Sequence, residues 1–70
     1  MPSFNKSTEK GIINEALPDT NFRVELETGE IILAYLSGKM RMYHIKVGLG
    51  DTVMVEVSSD RGRGRIIKRL

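Results

Sequence analysis

The chain is predicted to be all-β, a small closed barrel of five strands with one short helix between the third and fourth strands. Three observations predict this. Apolar and polar residues alternate with period two in "FRVEL" (Phe22 to Leu26) and "TVMVEV" (Thr52 to Val57), the pattern of strands buried on one face. Turn chemistry punctuates the chain at "PDTN", "TG", "GLGD" and "SSDRGRG", where Pro, Gly, Asn and Asp supply turn backbone angles. The strand-like segments are also short and evenly spaced within 70 residues, and closing them into a barrel removes edges that would otherwise pair with other chains.

Each element has its own justification. Residues 1–8, "MPSFNKST", are polar and aperiodic and read as a flexible arm, leaving 9–70 as one domain. The strands begin from Lys10. In "GIINEAL" the Gly11 position either opens a bulge or allows a close strand crossing. "FRVEL" is the second strand, with Phe22, Val24 and Leu26 inward. Thr28-Gly29 turns the chain into "EIILAYL", apolar on both faces, as expected either where a barrel covers both sides of the strand or where one face binds something. Ser37 caps a short helix starting near Gly38. Met40, four residues after Leu36, then plugs the barrel end, and Lys39 and Tyr43 share a face at i and i+4. "TVMVEV" forms the fourth strand, a Gly-rich loop follows from Ser58 to Gly64, and "RIIKRL" closes the chain.

The composition excludes several classes. A chain this short buries only about 60% of the surface its unfolded state exposes, so the fold must be economical. With no Cys, neither disulfides nor a thiolate zinc site can staple it. No apolar run reaches signal-peptide or membrane-span length, so a soluble protein with no secretory signal and no membrane role is expected. A monomer and a cytoplasmic location are expected as well, and the absence of Cys fits a reducing compartment. His44 is the only histidine, which leaves almost nothing for a triad or a multi-histidine metal site. Glu25 and Glu27 could mimic a catalytic carboxylate pair, but one strand face with charged cross-strand neighbours explains them better. No phosphate-loop or dinucleotide fingerprint is present. No catalysis and no cofactor are expected.

Nucleic acid fits better. Net charge is only +2, but residues 1–38 carry −3 and residues 39–70 carry +5, an asymmetry that suits a polyanion on one side and leaves an acidic face to solvent or to a protein. Arg41, Lys46, Arg61, Arg63 and Arg65 can meet phosphates, with Lys39 exposed on the same short helix, and Tyr35, Tyr43, His44 and Phe22 are the rings that could stack on bases. Phe22 is assigned to the core because it alternates in phase with Val24 and Leu26. Tyr35 lies on a strand that offers both a buried and an exposed face. His44 reads equally as a ring with no special task, and "DRGRG" as a merely flexible loop.

"LPDTNFRVELETGEIILAYLSGKMRM", with "GDTVMVEV" and "GRIIKR", resembles bacterial and plastid translation initiation factor one, from about Gly11 to Arg69. That resemblance implies an S1-type oligonucleotide-binding barrel (an OB-fold) without catalytic residues. It further implies binding to small-subunit rRNA at the aminoacyl-tRNA site, and work with initiation factors two and three. Lys39, Met40 and Arg41 match the family's Gly-Lys-Met-Arg segment, which lies against rRNA. Lys46 stands where members commonly have Arg, keeping the charge but losing the planar fork. The aromatic expected at His44 is displaced to Tyr43, and Tyr35 occupies a frequent His position. The loop before Gly64 is shorter and lacks a Tyr-Asp pair, for which Arg61 and Arg63 compensate. The resemblance also admits the plastid stroma as the location. The alternative function is a general single-strand RNA binder or RNA chaperone on the same barrel. A peptide-binding barrel would want an aromatic groove, and the chain has no Trp.

Overall fold

The computed structural model describes residues 7–58 and 62–70. Its elements run β1 (Ser7–Leu17), β2 (Asn21–Leu26), β3 (Ile31–Leu36), α1 (Gly38–Met42), β4 (Thr52–Val57) and β5 (Arg63–Arg69). The strands close into a barrel in the order β1-β2-β3-β5-β4, with β4 returning to β1. All neighbours are antiparallel except β3 and β5. This is the closed five-stranded barrel with one short helix that the alternation, the turn chemistry and the Ser37 cap together predicted.

The period-two pattern decides which side chains fill the interior. Val24, Leu26, Ile32, Ala34, Val53, Val55, Val57 and Ile66 all point inward and are buried. Phe22 joins them at 7% exposure, as its phase required. Met40 is 2% exposed although it sits on α1, so the helix lowers that side chain into the open end of the barrel. Burying a methionine of this kind contributes on the order of 2 kcal/mol.

The hairpins follow local chemistry. Asp19 and Thr20 both take the left-handed region (φ 63° and 56°), a pairing that matches strand twist and closes a tight β1–β2 turn. Gly29 does the same between β2 and β3 at φ 94°, its N–H donating to the Leu26 carbonyl at 2.9 Å. At Gly11, the close-crossing alternative holds: a Cβ there would lie 2.6 Å from Val24 Cγ1 and 2.9 Å from the Glu25 carbonyl oxygen. The β1–β2 register shift falls instead between Ile13 and Glu15, leaving Asn14 as the extra residue of a bulge.

Two boundaries differ from the sequence reading. β1 starts at Ser7 rather than Lys10, because Ser7 and Thr8 pair with Val57 and Glu56. A strand end made of polar residues carries no apolar alternation to reveal it. Arg63 and Gly64 belong to β5 rather than to the preceding loop, pairing with Leu33 and Ala34 of β3. Glycine is required at position 64 by crowding, since a Cβ would meet Val55 Cγ1 at 2.6 Å.

Candidate nucleic-acid interface

The segment after β3 is built around a helix of only 5 residues, and its two ends explain its sequence. Ser37 is extended (φ −64°, ψ 158°), and its Oγ accepts from the Met40 N–H at 3.2 Å. Its own N–H donates to the Ile66 carbonyl at 3.0 Å, which ties the start of α1 to β5. At the other end the His44 N–H donates to the Arg41 carbonyl at 3.1 Å, and the Ile45 N–H to the Met40 carbonyl at 2.9 Å. His44 is left-handed at φ 55°. This is a Schellman closure with histidine in the place glycine usually holds, and it brings Ile45 back toward Met40. His44 therefore terminates the helix through its backbone, a role the sequence reading missed because no glycine marks it.

This closure leaves cationic side chains on both flanks of α1. On one flank, a cleft of about 490 Å³ is lined by Lys39, Met40, Tyr43, Ile45 and Lys46, together with Ile67, Lys68 and Arg69 of β5. On the other, a shallower cleft of about 340 Å³ is lined by Arg41, His44 and Lys46 over the apolar Phe22, Leu36, Met40 and Val47, with Thr20 at its edge. Tyr43 is 63% exposed, its ring available to a stacking partner. Arg69 Nη1 donates to the Lys46 carbonyl at 3.1 Å, fastening the connection to the last strand. Among the described residues, no carboxylate lines either cleft. Within the same set, Lys39, Arg41, Lys46 and Lys68 have no ion-pair partner.

The remaining expected residues lie on the barrel wall. Tyr35 points outward, 44% exposed, with Asn21 of β2 and Arg65 of β5 as its neighbours in register. Arg65 is not a free cation: its Nη2 pairs with Glu56 Oε1, and that hydrogen bond and charge raise its pKa above the ordinary arginine value. Arg63 is exposed at the start of β5, beside Leu33, and its carbonyl holds Ser58 through both the Ser58 N–H and Oγ. Arg61 lies outside the described residues.

The sequence-predicted set thus divides. Lys39, Tyr43 and Lys46 share one cleft; Arg41 and His44 stand across α1; Tyr35, Arg63 and Arg65 form a separate β3–β5 row. Lys68 and Arg69 join the first cleft and were not singled out from sequence. Their charge was legible, but only the parallel β3–β5 pairing brings the end of β5 beside α1. Glu25 and Glu27 have ordinary surface partners, Asn14 Nδ2 at 3.2 Å and Lys10 Nζ at 3.9 Å. Among the described residues, no three His, Asp or Glu side chains converge as metal ligands would.

Comparison with known proteins agrees with this geometry. The family model described as translation initiation factor 1A / IF-1 matches residues 1–70. Chloroplastic translation initiation factors IF-1 from Sorghum bicolor and Lolium perenne are each 52% identical over 66 residues, covering 93% of this chain. The chain spans 62% of the length of these curated relatives. The solution structure of translation initiation factor one from the Wolbachia endosymbiont strain TRS of Brugia malayi superposes with a TM-score of 0.76 at 36% identity, covering 94% of this chain and 79% of that one. The crystal structure of YjeQ from Thermotoga maritima gives 0.75 at 34% identity, over 91% of this chain and 23% of the other. The family model spans residues 1–70, and the chloroplastic relatives and the solved barrel each match over nine-tenths of the chain: this chain belongs to the translation initiation factor 1A / IF-1 family.

Proposed function

We propose that this chain acts by occupancy, docking on the small ribosomal subunit at the aminoacyl-tRNA site and blocking premature tRNA entry. The observation that carries this reading is the carboxylate-free cleft in which Lys39, Lys46, Lys68 and Arg69 surround the exposed Tyr43. Lys39, Lys46 and Lys68, without ion-pair partners among the described residues, keep their full charge for phosphates, and binding gains from release of the RNA's counterions. A Tyr43 ring stacked on an unpaired base adds about 1–3 kcal/mol. Arg41 and His44, on the far flank of α1, extend the contact along the backbone, so the helix inserts between rRNA strands as a wedge. Tyr35 and Arg63 widen the footprint along the barrel wall; Arg65 adds a guanidinium whose charge Glu56 already shares, and Arg61 lies beside them in the chain.

No covalent step is needed. The bound protein is a monomer that works alongside initiation factors two and three, which meet it on surfaces the rRNA leaves open. Its ribosomes are those of a cytoplasm or of a plastid stroma, and the chloroplastic names of the grass relatives favour the second.

The test is co-sedimentation of the purified protein with small subunits at physiological salt, with a tRNA at the aminoacyl site as competitor. Stoichiometric binding displaced by the tRNA is the expected result. Binding that ignores the tRNA, with equal affinity for unstructured RNA, would favour a general single-strand binder on the same barrel.

A further inference from the structure

We propose that the β1–β2 face is a second docking surface, shaped for an extended cationic segment of a protein partner that carries an aliphatic side chain beside its lysine or arginine. It goes beyond the rRNA reading and uses none of the same residues.

A cleft of about 450 Å³ lies where β1 settles onto β2, lined by Lys10, Ile12, Asn14, Glu25, Glu27 and Thr52 over the Gly11–Leu26 pair. The backbones approach closely there because Gly11 has no side chain: a Cβ would stand 2.9 Å from the Glu25 carbonyl oxygen. Ile12 faces outward at 49% exposure, between Glu25 on β2 and Thr52 on β4 in register. An aliphatic side chain on an outer barrel face, with the Glu25 carboxylate on one side and Thr52 on the other, serves no core, and it offers a partner an apolar contact.

Charge selects the partner. The cleft itself carries Glu25 and Glu27 against Lys10, and the exposed Glu15 and Asp19 lie elsewhere on the same two strands and their turn, with Arg23 as the other cation. Arg23 is held by Glu15 at 3.1 Å and Lys10 by Glu27 at 3.9 Å. The second contact is long and exposed, so an incoming cation displaces it at little cost. Asn14 Nδ2 holds Glu25 Oε1 at 3.2 Å and fixes the direction of that carboxylate beside Ile12. A nucleic acid is repelled by this face, whereas a basic polypeptide is steered to it. Spacing on an extended chain does the rest: neighbouring side chains alternate in direction, so a lysine reaches Glu25 or Glu27 while a valine lies over Ile12.

The experiment is an NMR amide-shift titration of the whole chain with a short blocked peptide of alternating lysine and valine, and with its glutamate–valine counterpart. Saturable shifts concentrated at Ile12, Asn14, Glu25, Glu27 and Thr52, with the lysine peptide alone, are the expected result. Combining Glu25→Lys with Glu27→Lys should weaken binding about tenfold, the effect of reversing two exposed charges. Ile12→Ser should weaken it several-fold while the amide dispersion of the folded barrel is retained. Shifts on any other face, no saturable response, equal response to the glutamate peptide, or unchanged affinity in either variant would overturn the proposal. Loss of ribosome binding in the cleft variants leaves this result untouched, because the two faces share no residue.

Discussion

Arg69, next to the last residue of the chain, holds the backbone of Lys46: its guanidinium Nη1 donates to the Lys46 carbonyl at 3.1 Å, across 23 positions of sequence. The bond joins the end of β5 to the stretch between α1 and β4, where no strand or helix fixes the chain. Lys46 and Arg69 also line the same cleft. One side chain therefore both adds charge to the candidate interface and holds another of its charges in position.

Arg69→Ala should accordingly weaken small-subunit binding more than Lys68→Ala, although each removes one charge. The stability cost is about 1 kcal/mol or less, because the bond is exposed. Faster hydrogen exchange across residues 45–47 in the Arg69 variant, absent in the Lys68 variant, is the signature of the lost tether. Equal affinities for the two variants would remove the positioning role.

Arg41→Glu combined with Lys39→Glu should abolish co-sedimentation with small subunits and leave thermal unfolding nearly unchanged. Both side chains are exposed and neither has an ion-pair partner to lose among the described residues. Neutralising either one alone should lower the salt-dependence slope of binding by about 1. An unchanged dissociation constant in the double variant would rule α1 out as the docking element.

His44→Gly should stabilise the barrel by about 1 kcal/mol, because glycine adopts the left-handed backbone at φ 55° without the penalty an L side chain bears. Denaturant unfolding reads the gain. Binding in the same variant reports the imidazole separately: retained affinity assigns His44 to helix termination, and lost affinity gives its ring a contact of its own.

Ser37→Ala removes the cap of α1 and should cost about 1 kcal/mol. Met40→Ala, which empties the barrel end, should cost about 2–5 kcal/mol. Both should also weaken subunit binding, since the cap and the plug hold the cationic flanks of α1 in place. Urea midpoints and sedimentation measured on the same preparations test the link.

Gly64→Ala should destabilise the fold by about 1–3 kcal/mol through crowding against Val55, Ile32 and the Glu56 carbonyl. Gly48→Ala meets nothing within 4 Å and should be neutral or slightly stabilising. Calorimetry on the pair distinguishes a packing requirement from a general need for flexibility.

The amino-acid sequence by itself determined the strands, the inward set and the cap. Period-two alternation is a local property, so Phe22, Val24 and Leu26, or Val53, Val55 and Val57, announce their buried face without knowledge of the partner strand. Ser37 is legible for the same reason, since its hydroxyl serves an N–H three residues away. What lies far apart in the chain could not be read. Histidine in a left-handed position carries no compositional sign, and the pairing of Arg65 with Glu56, which removes a free cation from the expected set, depends on β4 and β5 being neighbours. Only barrel closure, with β5 parallel to β3 and antiparallel to β4, carried Lys68 and Arg69 to Lys39, Tyr43 and Lys46. Charge is written residue by residue, but a binding surface is a sum over neighbours in space, and that sum exists only once the strands have chosen their partners.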